Sequence, residues 1–219
     1  MQSDLYTLSL VLLILINLLT SGASRLRYCI NCVAVQGILV GALPLLQNSP
    51  TGMPEYGEWS LAAAVILIKG ILLPLLLLHV LRRVEINREV EPFISYNLSL
   101  AISAILLAAA VLLARHLPPI TGVNPLALPT AIFTLFTGLL MLISRRKALT
   151  QVIGFLMLEN GVFLFGGALH APYDLIVELG VLLDIFVLIF IMSIAVFHIR
   201  SEFNHSDTDQ LNTLADRDN

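Results

Sequence analysis

Four ionisable side chains lie within long apolar stretches of this sequence: Lys69, Glu159, Glu178 and Asp184. A charge held in an apolar segment that faces lipid costs several kcal/mol unless it finds a partner or water. Proteins keep such groups mainly for ion pathways, proton relays and buried ion pairs. These residues are therefore the first candidates for chemistry in this chain.

The composition shows why these charges belong in a lipid setting. Of the 219 residues, 58% are hydrophobic and 12% are charged, whereas a soluble domain carries about 25% charged residues. The mean hydropathy is +0.90. The apolar residues come in long runs, without the alternation or 3.6-residue spacing of half-buried elements. We therefore predict an all-α integral membrane protein.

Seven apolar runs predict about seven transmembrane helices. Each run is close to the roughly 20 residues that are needed to cross about 30 Å of hydrocarbon. No positive charge precedes the first run, so we predict a retained helix there and not a cleaved signal peptide. The runs are 4–22, 28–47, 60–81, 96–114, 125–143, 149–169 and 173–198.

The placement of lysine and arginine predicts the orientation, because short cytoplasmic loops collect basic residues. An N-terminus outside the cell puts nearly all of them on the inner side, with Arg115 outside and Lys69 within the membrane. We therefore predict an outer N-terminus and a cytoplasmic C-terminus. The inner residues are Arg25, Arg27, Arg82, Arg83, Arg88, Arg145, Arg146, Lys147, Arg200 and Arg217.

A weak internal repeat predicts two three-helix units with the same orientation, joined by one linker helix (a parallel 3+1+3 arrangement). Ser24-Arg25-Leu26-Arg27 opens the second helix and Ser144-Arg145-Arg146-Lys147 opens the sixth, with Gly41 and Gly161 at the same offset. The predicted units are a first three-helix unit (1–83), a linker helix (84–120), a second three-helix unit (121–200) and a polar cytoplasmic tail (201–219).

Three of the charges are predicted to lie at one depth. At about 1.5 Å per residue, Lys69 lies roughly 14 Å from the outer face, Glu159 roughly 16 Å from the inner face, and Asp184 roughly 17 Å from the outer face. We predict that these three residues form a proton relay near the midplane. The alternative is a structural ion pair between Lys69 and either acid, which only holds the bundle together.

Glu178, His79 and Gln36 are secondary candidates for the proton path. Glu178 is predicted either to face an outer vestibule or to lie at the membrane interface. His79, ten residues beyond Lys69 in the sequence, either passes protons to the lysine or sits at headgroup level. Pro74, one turn after Lys69, frees a backbone carbonyl and allows a bend.

Amide side chains predict a further set of contacts, because Gln36, Gln151 and Asn160 can form hydrogen bonds between helices. Cys29 and Cys32 form a lone C-x-x-C, and zinc and iron–sulfur sites usually need four ligands. We therefore predict two small apolar helix residues there, with no metal and no cofactor. No nucleotide-binding or hydrolase motif is present in the sequence, so we expect no catalysis by this chain alone. No basic patch suits nucleic acid, so we expect no nucleic-acid partner.

The motifs resemble those of the hydrogenase-4 component E family. Three stretches match that family: the basic loop and Glu-Asn-Gly helix of 145–161, the Lys-x-x-Leu-x-Pro pattern of 68–75, and Val177-Glu178-Leu179-Gly180 with Asp184. Leu211-Asn212-Thr213-Leu214 is similar to its tail. The resemblance covers nearly the whole chain.

Residues 125–198 also resemble the K subunit of bacterial complex I and the C subunit of multi-subunit sodium/proton antiporters. Those proteins carry one carboxylate in each of their last two helices, and Asp184 matches the second. The first position departs from the pattern: Leu156 stands there, and the acid follows three residues later at Glu159.

The resemblance implies a membrane subunit of a group 4 nickel–iron hydrogenase or another complex-I-like assembly, in the inner cell membrane. Its partners would be antiporter-like membrane subunits and the soluble subunits in which electron transfer drives proton or cation movement. Two alternatives are a subunit of a cation/proton antiporter and a membrane scaffold that conducts nothing.

Overall fold

A computed structural model describes residues 2–46, 56–84, 94–117, 124–169 and 180–193. Within these ranges 91% of the residues are helical and none forms a strand. The elements are α1 (Gln2–Ser21), α2 (Leu26–Leu46), α3 (Tyr56–Val65), a π-helical segment (Ile66–Leu72), α4 (Leu73–Val84), α5 (Tyr96–His116), α6 (Ala127–Ser144), α7 (Ala148–Ala168) and α8 (Gly180–Ser193).

Six of the described stretches are long and apolar enough to cross a membrane. They match the first six predicted runs within a few residues, so the all-helical class is confirmed. The seventh run is described only as the shorter apolar helix Gly180–Ser193, and the seven-span count and the orientation of the termini stay predictions. The six spans are Ser3–Ser21, Leu26–Leu46, Ala62–Arg82, Tyr96–His116, Ala127–Ser144 and Ala148–Ala168.

The third span changes its helical spacing around Lys69. The backbone N–H of Leu73 donates to the carbonyl of Ile68, five residues back, as in a π-helix. Pro74 follows directly and has no N–H to donate, so the regular α-helical ladder cannot continue through it. The span thus contains a seven-residue π-helical segment with Lys69 inside it, and such segments are frequent at functional sites.

Glycine allows α2 to pack closely on this π-helical segment. A Cβ atom added to Gly37 would lie 2.7 Å from the carbonyl oxygen of Lys69, and one added to Gly41 would lie 2.7 Å from Cγ1 of Ile66. Both distances are too short for a real side chain. Small residues of this kind let helix backbones approach closely in membranes.

The pair α6 and α7 uses the same device. A Cβ atom on Gly154 would lie 2.7 Å from the backbone nitrogen of Leu142, and one on Gly161 would lie 2.6 Å from that of Leu135. Gly138 faces α7 with equally little room. The close approach fixes the rotation of the two helices, since Gly154 and Gly161 of α7 must face α6 and Gly138 of α6 must face α7.

Three apolar clusters fill the described part of the bundle, and α2, the third span, α6 and α7 contribute to the first two. The first contains Leu26 to Val33 of α2, residues of α4 and Leu149 to Met157 of α7. The second contains Val40 and Leu43 of α2, Val65 of α3 and Phe163 to Ala168 of α7. The stretch between the clusters on each helix carries buried polar side chains, namely Gln36, Lys69, Thr134, Thr137, Glu159 and Asn160. We call this set the polar layer.

Candidate functional site

Lys69 and Glu159 form an ion pair in the polar layer. The Lys69 Nζ atom lies 2.7 Å from Oε1 of Glu159, and the side chains are 4% and 1% exposed. Of the two acids that the sequence left open as partners of Lys69, Glu159 is the one in direct contact with it. A buried charge without a partner is costly, and this contact gives each group an oppositely charged partner.

The two helices hold the pair in different ways. Lys69 projects from the π-helical segment, whose backbone is pressed against Gly37 of α2. Glu159 projects from α7, two residues before the close contact at Gly161. The ring of Phe163, one turn after Glu159, has its centroid 5.6 Å from Lys69 Nζ and makes a cation–π contact.

Asp184 of α8 brings a second carboxyl group to the site. It is half-buried and close enough to Glu159 for the two side chains to interact electrostatically. Within the described residues, neither oxygen of Glu159 nor Oδ1 of Asp184 makes a hydrogen bond of ordinary geometry. One ammonium and two carboxylates sum to one net negative charge, so the group is neutral only when it binds one more proton.

A chain of amide groups continues the polar layer away from the ion pair. Nδ2 of Asn160 donates to Oε1 of Gln36 at 3.3 Å, and Nε2 of Gln36 donates to Oδ1 of Asn17 at 2.8 Å. Nδ2 of Asn17 then donates to Oγ1 of Thr134 at 2.8 Å. All four side chains are at most 1% exposed. The chain joins α7, α2, α1 and α6, and we call it the amide chain.

Sequence reasoning found half of the amide chain. Gln36 and Asn160 were expected to bond between helices, and both do. Asn17 and Thr134 were not singled out. Asn17 is a lone amide in an apolar run and was detectable as such, whereas Thr134 also bonds its own helix, through the carbonyl of Thr130, and carries no separate signal.

The remaining predicted residues lie elsewhere. His79 is exposed on α4 and takes no part in the site. Gln151 bonds locally, to the carbonyl of Arg145 at 3.2 Å. Glu178 lies outside the described residues. Cys29 and Cys32 are buried in α2, and no group of three or more potential metal ligands occurs in the described part of the chain.

Arg145 lies in the predicted basic loop between α6 and α7, but its side chain is buried inside the bundle. Its side chain is 1% exposed, and Nη2 donates to the carbonyl of Ser21 at 2.9 Å. The guanidinium also lies 4.6 Å from the ring centroid of Tyr96. The residue therefore caps the C-terminal end of α1, where the helix dipole favours a positive charge.

The fold and the site define a multi-pass helical membrane protein with a buried ion pair. The chain is 30% identical over 208 residues to the uncharacterized protein Rv0085 of Mycobacterium tuberculosis, covering 93% of each chain. It belongs to the same family as that protein.

A more distant relationship joins this chain to hydrogenase-4 component E. The identity is 28% over 158 residues with the proteins of Escherichia coli and Shigella flexneri, covering 71% of this chain and 72% of those proteins. The predicted resemblance is thus confirmed as distant homology over 71% of this chain, less than the nearly complete coverage predicted. The likeness of 125–198 to the K subunit stays a prediction. No protein-family profile matches the chain, and no solved structure matches it significantly.

Proposed function

We propose that this chain is a membrane subunit of a group 4 hydrogenase-type complex, in which Lys69, Glu159 and Asp184 pass protons or another cation through the middle of the inner cell membrane. The observation that carries the proposal is the buried Lys69–Glu159 ion pair with Asp184 beside it. The distant homology to hydrogenase-4 component E supplies the type of complex.

The chemistry of the site supports a relay. When one carboxylate takes up a proton, that carboxyl group attracts Lys69 less strongly. The lysine can then pair more strongly with the other acid. Three groups that share a variable number of protons can therefore pass charge laterally with small side-chain movements. Electron transfer in partner subunits would drive this movement, and antiporter-like membrane subunits would take up the charge on either side.

The structural alternative uses the same ion pair. A buried pair of this kind also holds helices together, and removal of one partner destabilises a protein whether or not protons move. In that case the chain is a scaffold that docks neighbouring membrane subunits. A subunit of a cation/proton antiporter is the third reading, with an ion gradient in place of electron transfer as the driving force.

Proton uptake by membrane vesicles tests the proposal. Glu159→Gln keeps the size of the side chain but cannot ionise, and we expect uptake driven by an electron donor to fall at least about tenfold. Asp4→Asn, an exposed acid on α1, is the matched control and should behave as wild type. Assembly of the complex is verified first by purification.

Each outcome selects one reading. Loss of uptake with intact assembly supports the relay. Wild-type uptake in Glu159→Gln would mean that the pair is structural, and the scaffold would replace the relay. Uptake that depends on a sodium gradient and is the same with and without the electron donor would indicate that the chain is an antiporter subunit.

A further inference from the structure

The amide chain meets both halves of the ion pair through neighbouring residues. Asn160 directly follows Glu159 on α7. Gln36 directly precedes Gly37, the residue that is pressed against the backbone of Lys69. The hydrogen bond between the side chains of Asn160 and Gln36 therefore joins α7, which carries the acid, to α2, which is pressed against the backbone of the lysine.

The amide chain differs from the ion pair in one physical respect. Amide groups do not ionise, so their hydrogen bonds keep the same donors and acceptors whatever protons the three charged residues hold. The donors also run in one direction, from Asn160 through Gln36 and Asn17 to Thr134. A contact between helices that is insensitive to charge can hold its geometry while the neighbouring charges change.

We propose that Gln36, Asn160 and Asn17 are positioning residues, which fix α2 against α7 and thereby hold Lys69 at bonding distance from Glu159. The functional part of this inference rests on the proposed relay, whereas the positioning itself does not. A purely stabilising role would affect the yield and thermal stability of the protein and leave the site unchanged.

The first test compares variants of the assembled complex. Gln36→Leu removes both hydrogen bonds of the residue, and we expect proton uptake per assembled complex to fall about tenfold, since small misplacements of reacting groups cost that much or more. The matched control is Gln151→Leu, which removes an amide outside the amide chain and should retain wild-type uptake. Wild-type uptake in Gln36→Leu would overturn the inference if Glu159→Gln blocks uptake.

A rescue experiment separates positioning from general packing. Gln36→Asn shortens one amide by a methylene group, and Asn160→Gln lengthens its partner by the same amount. We expect each single variant to lose uptake and the double variant to recover a large part of it. Equal loss in all three would contradict the role of this hydrogen bond.

An infrared measurement tests the geometry without reference to transport. The carboxylate stretching band of Glu159, identified by its absence in Glu159→Gln, reports the contact with Lys69. We expect this band to shift in Gln36→Leu and to stay in place in Gln151→Leu. An unshifted band overturns the positioning role. If the band shifts in Gln36→Leu but proton uptake is unchanged in both Gln36→Leu and Glu159→Gln, the positioning role is supported and the relay is contradicted.

A milder variant covers the case in which Gln36→Leu does not assemble. Thr134→Val keeps the shape of the side chain at the far end of the amide chain and removes the acceptor of Asn17. A smaller shift of the Glu159 band in the same direction is expected. No shift in this folded variant counts against the inference.

Discussion

Gly37 lies directly against the backbone of Lys69, so closely that an added Cβ atom would be 2.7 Å from the lysine carbonyl oxygen. Helix α2 can therefore approach the π-helical segment only because this position has no side chain. The contact sets the place from which the Lys69 side chain reaches Glu159. It makes a glycine outside the charged group a determinant of the ion pair.

Gly37→Ala should separate α2 from the π-helical segment. The neighbouring atoms are backbone atoms and cannot move aside, so we expect destabilisation by about 1–3 kcal/mol, the usual cost of overpacking. The thermal unfolding midpoint in detergent is the measurement. Gly167→Ala is the control, because a Cβ atom there meets nothing within 4 Å. Equal midpoints for the two variants would contradict this account of the contact.

Removal of one charge from the ion pair should cost more than removal of both. Lys69→Met leaves Glu159 buried without its partner, at about 3–5 kcal/mol. The double variant Lys69→Met/Glu159→Leu replaces both groups with apolar side chains and should recover most of that loss. Unfolding of the wild-type protein, the single variants Lys69→Met and Glu159→Leu, and the double variant gives the four free energies. Additive losses of the two single variants in the double variant would show that the two residues do not interact.

Asp184→Asn should separate transport from assembly. The side chain is half-buried, and Lys69 is paired with Glu159, so neutralisation of Asp184 leaves the Lys69–Glu159 contact in place. We expect the complex to assemble and proton uptake to fall, because one of the three titrating groups is lost. Unchanged uptake would reduce the relay to the two residues of the ion pair.

The orientation of the chain can be tested with a reporter fused after Asn219. Almost all lysine and arginine residues lie on one predicted side, and basic loops stay in the cytoplasm. A reporter that is active only in the cytoplasm should therefore be active at that position. Activity of a reporter that works only in the periplasm would reverse the predicted topology.

The sequence by itself determined the helices, and it predicted one shared depth for the charges. Hydrophobicity is a local property, so apolar runs predict spans without knowledge of their neighbours. Depth along a helix follows from counting residues, and this count predicted that Lys69, Glu159 and Asp184 share one level. The structure brings these three residues together, and their role in proton transfer stays a prediction.

The tertiary structure alone decided which side chains touch. Glu159, and not Asp184, is the direct partner of Lys69, because the rotation of each helix depends on close packing at Gly37 and Gly161. Residue counting gives depth but no rotation about the helix axis.

The same reason explains the contacts that the sequence did not predict. Asn17 bonds Thr134 across 117 positions of sequence, and the side chain of Arg145 reaches from its loop to the end of α1 across 124 positions. Contacts over such separations form only when distant helices pack at one angle and register. That packing is a property of the whole bundle, and no single stretch of the sequence contains it.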